Sequence, residues 1–276
     1  MNYIRIAAGI LACGMLVACA PVNEHPDQQS SQTTTAASTT QAPPQTIAPL
    51  DRPIFPAGSQ CGIGEITETK SYTEGDFVIL NTSLTLPVAY VEGNDRLATA
   101  LNDYLNAFHK ERKQEIEVLY RRYLADYQAG RKRLTVPSVQ VRFELQYFTA
   151  EAVSITYRFT ETTGDGVVNT HTHHTNIDLI VGAQIHLDAL FTDSADAALQ
   201  TLLQTKLKES SIEGLYENAL QNIAAVLEDA WYLSDGKLII SLDAGKIAPI
   251  SSGEVTLTLT GEELADLLSD YGKTLL

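Results

Sequence analysis

Several chemistries are excluded by what this chain does not contain. Its 276 residues include three cysteines, two methionines and one tryptophan. It has no C-x-x-C pair, no H-E-x-x-H, no G-x-S-x-G and no phosphate-binding glycine loop. No zinc protease, nucleophile-elbow hydrolase or phosphate-loop enzyme is therefore indicated. Basic residues are scarce: 19 Lys and Arg stand against 34 Asp and Glu, giving a net charge of -15. Nucleic acid is excluded as a general partner, because phosphate binding needs a basic surface. Beyond residue 19 no apolar run is long enough to cross a membrane as a helix. The cysteines cannot form a disulfide framework: Cys13 and Cys19 belong to the first apolar segment, which leaves Cys61 alone. Cys61 has no base or metal partner near it in sequence and is not read as a nucleophile.

The charge that is present is unevenly distributed. Lys110 to Arg133 holds eight basic residues, whereas Glu161 to the end holds 18 acidic residues against 5 lysines. A solvated helix face and loop account for the basic run. The acidic half favours encounter with a cationic partner. At the N-terminus, Arg5 precedes an apolar run from Ile6 to Ala18 that is too short to span a membrane. It ends in Leu16-Val17-Ala18-Cys19, which resembles the bacterial lipobox. That resemblance implies a signal peptide over 1–18, cleavage before Cys19 and acylation of its thiol. Several acyl chains hold a protein firmly on a membrane. Ala20 rather than Asp follows the cysteine, which favours the outer membrane if the cell has one. Residues 19–60 are rich in Gln, Ser, Thr, Ala and Pro and are expected to form a flexible linker.

From Cys61 onward the pattern is that of an α+β domain, an antiparallel sheet with packed helices. Strands are expected over Glu65–Tyr72 and Phe77–Val91, with Pro87 at an edge or bend. Leu97 to Tyr127 carries apolar residues at three- and four-residue spacing, with Asn94 or Asp95 as N-cap and Gly130 as terminator, so a long amphipathic helix is expected. Val139–Phe148 follows as a strand. Helices are expected over Ser194–Lys208, Ile212–Leu227 and Glu262–Leu268. Trp231–Ser234 and Lys237–Asp243, joined by Asp235-Gly236, give a hairpin signal, and Glu254–Thr260 one more strand. The division expected is an N-terminal subdomain over 61–150 and a C-terminal domain over 151–276.

The stretch from Ala152 to Phe191 is the most informative. Val153, Ile155, Tyr157 and Phe159 alternate with Ser154, Thr156 and Arg158, the period of a half-buried strand. Thr163-Gly164-Asp165-Gly166, Asn176-Ile177-Asp178-Leu179, Gly182 and Leu187-Asp188-Ala189-Leu190-Phe191 follow. Trp231-Tyr232-Leu233, Asp235-Gly236-Lys237-Leu238 and Ile247-Ala248-Pro249 come later in the same order. These motifs resemble the RsiV-like extracytoplasmic domain over roughly residues 65–276. The resemblance implies a secreted or membrane-anchored binding domain, of the kind found in a lysozyme-sensing anti-sigma factor and beside peptidoglycan deacetylases. The family's Gly-Gly-Ala-His loop is here Gly164-Asp165-Gly166-Val167, so its loop histidine has no counterpart.

Two sites compete for attention. The loop residues Gly164, Asp165, Gly166 and Asn169 are the candidate ligand-binding group, since a glycine-flanked turn on a rigid sheet suits recognition as well as simple chain reversal. His171 and His173 share one strand face and are weak candidates for metal ligands, with His174 on the other face. A two-residue turn would set Ile177 opposite His186, and a bulge would set Asn176 there; neither gathers three histidines. The function expected is a cell-envelope lipoprotein that binds an envelope ligand without catalysis and needs no cofactor. That ligand is a lysozyme-like protein or a peptidoglycan fragment. The alternatives are a metal-dependent envelope hydrolase using His171 and His173, and a structural lipoprotein of an envelope assembly.

Overall fold

The computed structural model describes residues 53–276. The expected signal peptide, the expected lipidation site Cys19 and most of the expected linker lie outside the described residues. The folded region begins earlier than the expected 61. Ile54 and Ile63 exchange backbone hydrogen bonds of 2.8 and 2.9 Å. Phe55 lies over Gly62, where a Cβ would come within 2.7 Å of the ring, so a larger residue at 62 would displace the Phe55 side chain.

Strands β1 (Cys61–Glu74) and β2 (Phe77–Val91) form a long hairpin. Helix α1 (Asp95–Gln128) then runs back along it. Its N-terminus is capped as expected: Asn94 Oδ1 accepts from the Leu97 N–H at 3.1 Å. Leu101, Leu105, Phe108, Ile116 and Tyr123 form its buried stripe, and Gly130, at φ +70°, ends it. Because α1 returns the chain to the hairpin tip, the next strand enters parallel to β2. This is β3 (Ser138–Phe148), paired with β2 over Asn81–Leu84 only. The expected antiparallel sheet thus contains one parallel ladder, as a helical crossover requires. Pro87 lies beyond that ladder, where β2 has a neighbour on one side only. Asn102 of α1 replaces the missing strand: its amide donates to Ala89 O at 2.9 Å and accepts from Ala89 N at 3.0 Å.

An antiparallel meander continues through β4 (Ala152–Thr162), β5 (Val168–Asp178) and the short β6 (Ala183–Gln184), so that one six-stranded sheet runs β1-β2-β3-β4-β5-β6. The division expected at 150/151 falls in the β3–β4 turn, and the residues on either side share this sheet. Val153, Ile155, Tyr157 and Phe159 of β4 are buried on the face toward α1, as their alternation implies.

A second layer follows. After a 3-10 turn at Leu187–Leu190 come α2 (Asp196–Glu209), α3 (Ala219–Val226) and a three-stranded sheet of β7 (Trp231–Ser234), β8 (Lys237–Leu242) and β9 (Val255–Thr260). The short α4 (Gly261–Leu264) and α5 (Gly272–Leu275) close the chain. Leu199, Leu203 and Leu207 of α2 and Ile223 of α3 pack with Trp231, Leu233, Leu238, Ile240, Leu257 and Leu259 in one apolar cluster. Two helices are shorter than expected. Gly214, at φ +71°, sets the chain in a turn, and α3 begins only at Ala219. α4 ends at Leu264, after which Leu268 bridges to Phe191. The β7–β8 turn has Asp235 at φ 42° and Gly236 at φ 71°, the backbone its Asp-Gly sequence specifies.

The polar face of β4 is covered over its first half, at Ser154 and Thr156, whereas Arg158 further along stays partly exposed. Ser154, Thr156, His174 and Asn176 are all at most 4% exposed, because β7 lies against them. The outer edge of β7 has no strand partner. Side chains fill the role: Ser154 Oγ accepts the Leu233 N–H at 3.1 Å, and Asn176 Nδ2 donates to Trp231 O at 3.0 Å. The Ser154 hydroxyl donates to Asn176 Oδ1 at 2.6 Å, which ties the two clamps together.

Candidate functional site

The three neighbouring histidines of β5 are held by aromatic packing. His171 stacks on Phe159 with centroids 4.6 Å apart, and His173 on Phe108 at 4.7 Å. His174 faces the second layer, with Nδ1 2.9 Å from Thr156 Oγ1 and its ring 5.0 Å from Tyr232. Burial pushes His173 below its ordinary value and His174 down to about 4. His186 joins neither expected register. β5 and β6 pair Ile177 with Gln184 and Asp178 with Ala183, a register one residue further on than the bulged alternative and with a longer turn. The reason is Asp178, whose Oδ1 accepts the N–H groups of Ile180 and Val181 at 2.8 and 3.0 Å and sets a four-residue turn. His186 instead meets Glu228 at 2.8 Å. Among the described residues no three of His, Cys, Asp or Glu are grouped to hold a metal ion. His171 and His173 therefore have no third ligand. His109, which its sequence context does not single out, lies on the buried face of α1 and is pushed down to about 4, chiefly by desolvation.

The motif Asn176-Ile177-Asp178-Leu179 now has a structural meaning for each residue. Asn176 clamps β7, Ile177 and Leu179 are 1% exposed in the core, and Asp178 shapes the turn. Asp178 Oδ2 also accepts the Tyr271 hydroxyl at 2.8 Å, which locks the C-terminus to this turn. Gly182 stands at φ +73°, and a Cβ there would lie 2.9 Å from Leu97 Cδ1. Cys61 is buried, with Sγ 3.7 Å from Leu179 O and its thiol pushed up by burial. It is a core residue.

The loop candidates occupy a definite place. The β4–β5 turn is closed by Thr163 N donating to Val167 O at 2.9 Å, with Gly166 at φ +86°. Asp165 is fully exposed, and the Thr163 hydroxyl that donates to it holds its carboxyl below the usual range. Gly164 O accepts two N–H groups from another segment, Leu134 at 2.7 Å and Thr135 at 3.0 Å. The basic residues after α1 are thereby brought beside the loop. Gly164, Asp165 and Asn169 share a cavity of about 310 Å³ with Arg122, Arg131, Lys132 and Arg133. On its floor Glu161, 8% exposed, is held by Arg122 and by the Tyr123 hydroxyl. Sequence spacing alone separates these groups by more than 30 residues.

A second charged feature is also tertiary. The segment from Asp188 to Asp196 runs beside Asp266–Asp270. Thr192 N donates to Leu267 O and Ser269 N to Leu190 O, each at 2.9 Å, and Ser269 Oγ donates to Ala189 O at 2.8 Å. This seam gathers the exposed carboxylates of Asp188, Asp193, Asp196, Asp266 and Asp270. Of the five, Asp270 alone is in an ion pair among the described residues, at 3.9 Å from Lys273.

Comparison with known proteins bears on the fold. No family model matches the chain, and no curated protein matches it. Solved structures do match it, among them two of the DUF3298 family. One is a DUF3298 family member from Bacteroides fragilis, with a TM-score of 0.57 and 16% identity over 77% of this chain and 95% of that one. The other is a DUF3298 family protein from Pseudomonas aeruginosa, with a TM-score of 0.50 and 12% identity over 75% of this chain and 94% of that one. The chain has the fold of DUF3298 family proteins. The likeness takes in nearly the full length of each DUF3298 structure.

Proposed function

We propose that this protein is a cell-envelope lipoprotein, acylated at Cys19, whose folded domain binds a cationic, lysozyme-like protein without catalysis. The membrane is the outer one if the organism has one. The observation that carries the reading is the carboxylate seam of Asp188, Asp193, Asp196, Asp266 and Asp270. Like charges held together on a surface raise the local potential and speed encounter with a partner of opposite sign. The RsiV-like motif order supports an extracytoplasmic binding domain, and the DUF3298 fold is compatible with it.

The test is capture of hen lysozyme by the purified chain at low and high salt. Binding at low salt that weakens as the Debye length falls below about 10 Å is expected. Replacing Asp193, Asp196 and Asp266 by lysine should weaken it by roughly tenfold or more. No capture at any salt rejects the partner. Retention on insoluble peptidoglycan, with no retention on lysozyme, would instead favour a glycan ligand.

A further inference from the structure

β1 lies at one edge of the six-stranded sheet, and most of its outer side is open. Three bonds fix which way its backbone groups face. Ile63 exchanges both of its bonds with Ile54, on the outer side. Gln60 O accepts from Glu92 N and Lys70 O from Thr82 Oγ1, both on the side of β2. Successive residues of a strand turn their N–H and C=O groups to opposite sides. Glu65, Thr67, Thr69 and Ser71 therefore present theirs to the open edge, and the irregularity at Tyr72/Thr73 ends the run. Among the described residues none of these backbone groups has a hydrogen-bond partner. Such an edge is a template for one more strand.

The chain itself arrives along this edge. Ile54 lies antiparallel to β1, opposite Ile63. Extending that register sets Arg52 opposite Glu65, Leu50 opposite Thr67, Ala48 opposite Thr69 and Thr46 opposite Ser71. The prolines agree with it. Pro49 and Pro53 take the alternate positions, whose N–H would face away from β1, where proline is tolerated. Pro44 would face β1 without a donor, but it falls opposite Thr73, beyond the irregularity. The charges agree as well. Glu68 is held by Lys113 and Lys70 lies near Glu117, which leaves Glu65 as the carboxylate of this run without an ion pair, opposite Arg52. Glu68, Lys70 and Tyr72 face α1, and residues opposite each other in an antiparallel pair share a face, so 47, 49 and 51 belong to that side. There a cavity of about 300 Å³ is lined by Tyr72, Leu84 and Ile116 and by Lys110 and Lys113. Ile47 and Pro49 suit its apolar wall. Asp51 suits Lys110, which has no carboxylate partner among the described residues.

We propose that residues 46–52 add to β1 as an antiparallel strand, so that the outermost strand of the sheet is built from the tether of the same chain. Main-chain bonds hold it, and the cavity beside α1 selects its side chains. A second copy of the chain would have to displace Ile54 from the same edge. The free tether is then residues 20–45, at most about 90 Å long. It leaves the domain toward the β1–β2 tip instead of beside Ile54, which sets the end of the domain that faces its anchor.

The experiment is amide hydrogen exchange, read residue by residue by NMR, on the chain beginning at Ala20. Residues 53–276 contain every core cluster described above, so the folded unit is intact in that chain. In the proposed register Thr67 N–H donates to Leu50 O and Thr69 N–H to Ala48 O. Leu50→Pro removes an N–H aimed at Thr67 O and should speed exchange at Thr67 and Thr69 by roughly tenfold or more. Asp51→Pro removes an N–H that faces away and should leave both slow. Glu65→Arg should speed exchange roughly twofold to fivefold, and adding Arg52→Glu should restore it. Exchange at Thr67 and Thr69 as fast as in free amides, equal rates in wild type and Leu50→Pro, equal losses in both proline variants, or wild-type rates in Glu65→Arg would overturn the proposal. Slow exchange that is lost on dilution would give the edge to a second copy and overturn it too.

Discussion

Asn176→Ala tests the clamp that joins the two layers. Asn176 is 3% exposed, donates to Trp231 O and accepts from Ser154 Oγ. Truncation leaves the Trp231 carbonyl and the Ser154 hydroxyl without those partners at a site that water does not reach. Each such group costs about 1–3 kcal/mol, so the substitution should cost about 3–5 kcal/mol. That is a large share of a typical stability of about 5–15 kcal/mol. For a domain of this size each kcal/mol lowers the melting temperature by about 2–4 °C, so a fall of about 6–20 °C is expected. Urea unfolding and calorimetry measure both quantities, and an unchanged m-value would show that the unfolding reaction is the same one. Ser154→Ala removes the other half of the clamp, and the double variant should cost about 1 kcal/mol less than the sum of the singles, because the two side chains share a hydrogen bond. Asn176→Asp should be worse than Ala at pH 7, since a carboxylate cannot donate to Trp231 O, and should recover in part as acid protonates it. A loss below about 1 kcal/mol for Asn176→Ala, or strict additivity with Ser154→Ala, would refute the clamp.

Two further stability predictions follow from buried groups. His109 and His174 are pushed down to about 4 from 6.5 by burial. The unfolded chain then binds protons first on acidification. Their contribution is complete above pH 6.5 and is lost between 6.5 and about 4, up to about 3 kcal/mol per histidine. His109→Phe should remove its share of that slope, and the difference between variant and wild-type unfolding curves at pH 7.5 and 5 isolates it from the general effect of net charge. Gly182→Ala forces a side chain onto a φ of +73° and within 2.9 Å of Leu97 Cδ1. It should cost about 1–3 kcal/mol, read as a drop in thermal midpoint.

Much of the local structure was legible in the order of residues. The cap at Asn94, the long stripe of α1, the Asp235-Gly236 turn and the alternation of β4 all depend on contacts within a few positions. The register of β5 with β6 was not, because the Asp178 side chain selects the turn and its choice is not encoded in spacing. The histidine cluster looked chemical in sequence and is packed against aromatics in the fold, since Phe108 and Phe159 come from other elements. The glycine loop was visible as a turn. Its basic neighbours were not visible as neighbours, because a backbone bond from Leu134 to Gly164 makes them so.

By itself, the sequence determined the α+β class, the strand and helix periods and the uneven charge, because each follows from the side chains along a short run of chain. Tertiary structure alone decided which faces meet. β7 covers a polar strand face that pattern would leave in water, and Ser154 and Asn176 make this possible by standing in for a missing strand. Other long-range backbone pairings set the acidic seam in one place and the basic residues after α1 beside the β4–β5 turn in another. Charge and hydrophobicity belong to residues, but a surface exists only once distant segments have been fixed beside each other.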